Sequence, residues 1–131
     1  MSLIFHMCRD DEWRAAVATG LYEGSSQDRA DGFIHFSTAA QIVESAARHR
    51  AGQDGLVLIA IEPARLGAAL RWEPSRDGAL FPHLYDGLSP GLIAWAAPLP
   101  LGDDGRHRFP ELHSSAPPPS STLHSSAGPQ P

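Results

Sequence analysis

The chain has 131 residues and a formal net charge of −5, with all 10 of its basic residues arginine; this excludes lysine Schiff-base chemistry and the lysine of a phosphate-binding P-loop, and an acidic pI near 5.7 offers no basic face for nucleic acid. The one cysteine, Cys8, allows neither an internal disulfide nor a cysteine cluster around a structural metal, which suits a reducing cytosol. No stretch reaches the roughly 20 apolar residues of a membrane span, and the start lacks the regions of a signal peptide, so a cytoplasmic, monomeric protein with no membrane partner is expected.

Residues 1–112 are expected to form a single α+β domain, long enough for one hydrophobic core. Residues 113–131 read as a Pro/Ser-rich disordered tail, since from Ser114 onward no Asp, Glu, Lys or Arg occurs and little apolar surface is available for burial. The domain opens on a strand over 3–8, with His6 the one ionisable group in an apolar run. Asp10 or Asp11 should cap a helix running to about Thr19, with Trp13, Ala16 and Val17 on its inner face and Gly20 as its stop. A polar, turn-rich loop over 20–26 follows, and Asp31-Gly32 bends the chain into a buried strand, Phe33-Ile34-His35-Phe36. That strand runs directly into a second helix over about 38–50, where Thr38 and Gln41 have the spacing of a capping box. Ala39, Ile42, Val43, Ala46 and Ala47 give this helix a narrow apolar stripe.

The unbroken apolar run 56–61 reads as a central strand covered on both faces and stopped by Glu62-Pro63. A shorter strand is expected over 70–73. Residues 80–87 mix aromatics, Pro82 and His83, a composition that suits an edge or loop at a cleft. The last strand is expected over 92–97.

The chemistry concentrates on three histidines. His6, His35 and His83 lie in apolar, aromatic neighbourhoods, whereas His49, His107, His113 and His124 lie among polar or tail residues. A buried imidazole without a partner costs a few kcal/mol, so three of them in apolar runs point to a shared cleft. Glu73 is the carboxylate placed next to a motif; Trp72, Phe81 and Tyr85 could stack on a flat ring. Ser37 and Thr38 sit at a strand-to-helix corner, where unpaired amides and the helix dipole favour an anion or polar ligand. The histidines show no helical i, i+4 pair and no closely spaced metal-ligand motif, and the Gly-x-Ser-x-Gly elbow of a serine hydrolase is missing.

His6, the string Asp31 to Thr38 with Gln41, Trp72-Glu73 and Phe81-Pro82-His83-Leu84-Tyr85 together resemble the bacterial domain-of-unknown-function family 952, over about residues 3–100. Asp86 stands where that family usually carries Gly, with Gly87 one place later. A more distant similarity links the order of a strand-borne His, a second His before Ser, an apolar strand and an aromatic loop to the catalytic half of RNA 2′-phosphotransferases, members of the ADP-ribosyltransferase superfamily. That resemblance implies a split, mainly antiparallel sheet with two short helices, and NAD as a substrate bound in a cleft between two small sheets. It implies that His6 contacts the adenosine-side ribose, that His35, Ser37 and Thr38 lie beside the nicotinamide half, and that Glu73 and the loop from His83 to Tyr85 line the far wall. The phosphotransferases carry an arginine two residues ahead of their His-x-His-Leu-Ser motif; here residues 31–35 contain none, which argues against RNA phosphotransfer.

Taken together, the leading expectation is a site for NAD or a related nucleotide, with ADP-ribosyl transfer or glycohydrolysis as its reaction. His35, Glu73 and His83 would be catalytic; His6, Ser37, Thr38, Trp72 and Tyr85 would hold the nucleotide. The alternatives are a non-catalytic module for a small ligand or protein, and a metal-dependent hydrolase using the three histidines.

Overall fold

The computed structural model describes residues 2–75 and 78–118, so of the tail expected over 113–131 the part 119–131 lies outside the described residues. The fold is α+β, with mainly antiparallel sheets and few helices. A four-stranded sheet has the order β3-β1-β4-β7, built from β1 (Ile4–Arg9), β3 (Ser37–Thr38), β4 (Leu56–Ile61) and β7 (Trp95–Leu99). A three-stranded sheet has the order β2-β6-β5, from β2 (Ile34–His35), β5 (Leu70–Pro74) and β6 (Leu80–Leu84).

β4 is the covered central strand its composition predicts, with all six residues buried. Because side chains alternate across a strand, β1 and β4 feed two cores. Ile4, Cys8, Val57, Ile59 and Ile61 face helix α1 (Asp10–Thr19), Tyr22 and the inner face of the smaller sheet, including Ile34 and Leu84. Phe5, Leu56, Leu58 and Ala60 face helix α3 (Ala39–His49) through Ile42, together with Trp95 and Leu99.

Several local expectations change. The polar stretch read as a loop contains a third helix, α2 (Ser26–Asp31), so the described residues form three α-helices where two were expected. Its six residues bury only Asp28, and six residues without an apolar stripe carry no helical period to read. Helix α1 is capped by Arg9, not Asp10 or Asp11: the Arg9 amide donates to Glu12 Oε1 at 3.0 Å, and both aspartates sit in the first turn. Val17 and Val43, expected on inner faces, are 41% and 52% exposed. Segment 80–84 is the middle strand of the smaller sheet rather than its edge. Proline is tolerated there because Pro82 points its missing donor toward β2 just where that strand ends; Phe36 N–H donates to Pro82 O at 3.0 Å and no bond returns. The last strand starts at Trp95, because the turn Pro90–Leu92 occupies the start of the predicted segment. Ser114, at the expected head of the tail, accepts the Trp95 indole N–H at 3.0 Å.

The predicted strand over 33–36 resolves into two two-residue strands on different sheets. β2 pairs with β6, Phe36 turns the corner, and β3 pairs with β1. This corner is what positions the site, because it sews the edges of the two sheets together.

Candidate functional site

At that corner a cavity of about 640 Å³ is lined from both sheets and from α2 and α3, and His6, His35 and His83 all open onto it. β3 covers β1 only at Ile4 and Phe5, so the rest of that edge of β1, from His6 onward, borders the hollow. His35 and His83 are direct cross-strand partners, with ring centroids 5.6 Å apart. His6 reaches His35 from β1 through its Nδ1, which lies 2.6 Å from the His35 carbonyl oxygen.

The organising charge is Asp28, which sequence reasoning missed. It is 3% exposed at the centre of α2. One carboxylate oxygen accepts the His35 amide at 3.1 Å and the His35 Nδ1–H at 2.6 Å; the other accepts the Ser25 amide at 2.8 Å. His6 Nε2 stands 3.6 Å away. Burial pushes the Asp28 carboxyl up, but the bonds from His35, the nearby His6 and the Ser25 amide outweigh it and bring it down to about 2. Gly24 is required beside it: φ is +98°, and a Cβ there would come within 2.6 Å of the Asp28 Cβ. The signal for Asp28 was a capping pattern, Ser25 with an acid three residues on and Gly32 closing the helix.

His35 is held at both ends, since its Nε2 lies 3.0 Å from Asp31 Oδ2. His83 is held by Glu73: its Nδ1 lies 2.8 Å from Glu73 Oε1, which also accepts the Tyr85 hydroxyl at 2.7 Å. The Tyr85 hydroxyl and His83 hold the Glu73 carboxyl below its ordinary range, and Glu73 in return raises the Tyr85 phenol. Phe33, also unassigned from sequence, stacks on the His83 ring at 4.1 Å and 25° and touches His35 and Tyr85. The cavity thus holds two carboxylate-backed imidazoles, Asp28–His35 and Glu73–His83, an arrangement that can orient a ligand's hydroxyls or move protons.

The remaining expected site residues divide. Ser37 lines the cavity and its hydroxyl is 3.0 Å from that of Ser45. Thr38, Glu73 and Tyr85 are not among the lining residues; Glu73 and Tyr85 act on the cavity through His83. Thr38 gives its amide to Gln41 Oε1 at 3.0 Å at the start of α3, as the capping spacing predicts. Trp72 stands apart: alternation along β5 puts it on the face opposite Glu73 and His83, where it is 45% exposed. His107, which lies among polar residues in the sequence, is buried, with Nε2 2.7 Å from the Gln53 carbonyl. Among the described residues no group of three or more His, Cys, Asp or Glu is arranged to hold a metal ion, and no helix is long and apolar enough to cross a membrane.

Residues 7–96 match the family described as protein of unknown function, DUF952. The crystal structure of protein CC0527 from Caulobacter crescentus is 47% identical over 82% of this chain and 94% of that chain, with a TM-score of 0.79. The solution NMR structure of CC0527 is 48% identical over 81% of this chain and 91% of that one, with a TM-score of 0.74. No curated protein matches this chain.

Proposed function

This chain belongs to the DUF952 family of proteins of unknown function, and for it we propose a cavity that binds NAD or a related nucleotide, with ADP-ribosyl transfer or glycohydrolysis as its chemistry. The observation that carries the reading is the convergence of His6, His35 and His83, from three strands in two sheets, on one hollow. The split antiparallel sheet and the resemblance to ADP-ribosyltransferases point the same way. Breaking a nicotinamide–ribose bond develops positive charge on the ribose carbon, and a carboxylate or aligned dipoles near that carbon lower the barrier by several kcal/mol. The carboxylates lining the cavity are Glu12, Asp28 and Asp31, while Glu73 acts on it through His83. In this reading His83 holds a ribose hydroxyl with Ser37 nearby, while His6 and His35, each with both ring nitrogens engaged, fix the wall behind it.

Isothermal titration and saturation-transfer NMR with NAD, ADP-ribose and ADP-ribose 1″-phosphate, each at about millimolar concentration, test the reading. Binding of one of the three, weakened by His83→Ala, is expected; no interaction with any of them overturns it. A second reading, a non-catalytic module for a small ligand, is favoured by a separate observation: His6, Asp28 and His35 already engage one another, and Glu73 is engaged by His83 and Tyr85. It predicts that Glu73→Gln leaves binding unchanged and that no nucleotide is turned over.

A further inference from the structure

We infer that Tyr22, which lies outside the cavity, is the positioning residue of this site: its hydroxyl locks His6 as the neutral imidazole protonated on Nδ1, and His6 in turn fixes the His35 backbone. The inference goes beyond the ligand reading and stands whatever the cavity binds. It follows from what each atom can donate. A carbonyl oxygen only accepts, so the 2.6 Å contact between His6 Nδ1 and His35 O requires the proton on Nδ1. The other nitrogen, Nε2, lies 2.6 Å from the Tyr22 hydroxyl. With His6 neutral, Nε2 bears a lone pair and Tyr22 O–H must be the donor.

The surroundings keep that direction. His6 is 3% exposed, and burial drives its imidazole below the ordinary range against the opposing pull of the Asp28 carboxylate and the His35 carbonyl; Arg50 and the His35 ring add to the lowering. Tyr22 keeps its proton, because burial raises its phenol far above the usual range. Cys8, bonded to Tyr22 and pushed up to about 12 by burial, keeps its own. One ordered chain results, from Tyr22 O–H to His6 Nε2 and from His6 Nδ1–H to the His35 carbonyl. Tyr22 is itself pinned, since it exchanges backbone bonds of 2.8 Å in both directions with Leu88.

Nitrogen-15 NMR of the imidazoles reads the tautomer directly. In the wild-type protein His6 should show a protonated Nδ1 and an unprotonated Nε2 from about pH 8 down to about pH 5, a range in which a free imidazole titrates. In Tyr22→Phe the Nε2 lone pair loses its donor, and the nearest remedy is to take a proton and face Asp28 Oδ2, 3.6 Å away. The His6 midpoint should then rise by about one pH unit or more, with the His35 amide signal shifting alongside. Cys8→Ala removes a neighbour of Tyr22 but neither bond of the chain, and should leave the His6 tautomer as it is. A wild-type His6 protonated on Nε2 at neutral pH overturns the inference without any variant. So does a Tyr22→Phe protein whose His6 tautomer and midpoint match the wild type, or a Cys8→Ala protein whose tautomer switches.

Discussion

Asp28 keeps a full charge in the interior because donors surround it, and this makes it a source of pH-dependent stability. Its carboxyl is about 2 in the folded chain against an ordinary 3.8, so the folded state prefers the ionised form. The resulting stability, on the order of 2 kcal/mol, is fully present above about pH 4 and is lost as pH falls toward 2. Asp28→Asn abolishes that dependence and places an amide N–H₂ among donors already aimed at the site. Urea unfolding should find Asp28→Asn less stable than wild type by roughly 2–3 kcal/mol at pH 7. The gap should narrow as pH drops from 4 to 2; a constant gap would mean that Asp28 is not the titrating group. The histidines were legible at this scale because an ionisable residue in an apolar run stands out. Asp28 was not, because an acid in the polar stretch from Ser25 to Asp31 looks like any solvated residue.

Helix α2 exists for its caps rather than for an apolar face. Ser25 Oγ accepts the Asp28 amide at 3.3 Å, Asp28 returns the bond to the Ser25 amide, and Gly32, in the left-handed region, gives its amide to the Asp28 carbonyl. The capping box that starts the helix therefore also aims the carboxylate at His35. Ser25→Ala should cost about 1 kcal/mol. It should also speed hydrogen exchange at the His35 amide, whose acceptor is Asp28 Oδ1; unchanged exchange there would separate the cap from the site. Periodicity made β4 and α3 readable, since each carries a long apolar signal. It failed on β2 and β3, because a two-residue strand is defined by its partner across the sheet and not by its own sequence. It failed on β6 because a proline in a middle strand is allowed only when the neighbouring strand stops short, and that is a property of β2.

At the scale of the whole molecule, the four-stranded sheet separates two cores, and the cavity draws lining residues from both while the His6 ring packs on the side of one. Ile59 is the cross-strand partner of His6 and shares its face, within the cluster that contains Tyr22 and Phe36; Leu58 pairs with Met7 and belongs to the opposite cluster, under α3. The two side chains are adjacent in sequence, fully buried and similar in size. Ile59→Ala and Leu58→Ala should therefore destabilise the protein comparably, by roughly 2–5 kcal/mol each in chemical denaturation. Their effects on the His6 ring should differ. A void at 59 removes the packing behind the His6 ring and should broaden or shift the His6 and Tyr22 side-chain NMR signals under folding conditions. A void at 58 opens on the other side of the sheet and should leave those signals in place. If both variants disturb His6 equally, the sheet transmits strain between its faces and the His6 ring is held by the whole fold rather than by one layer.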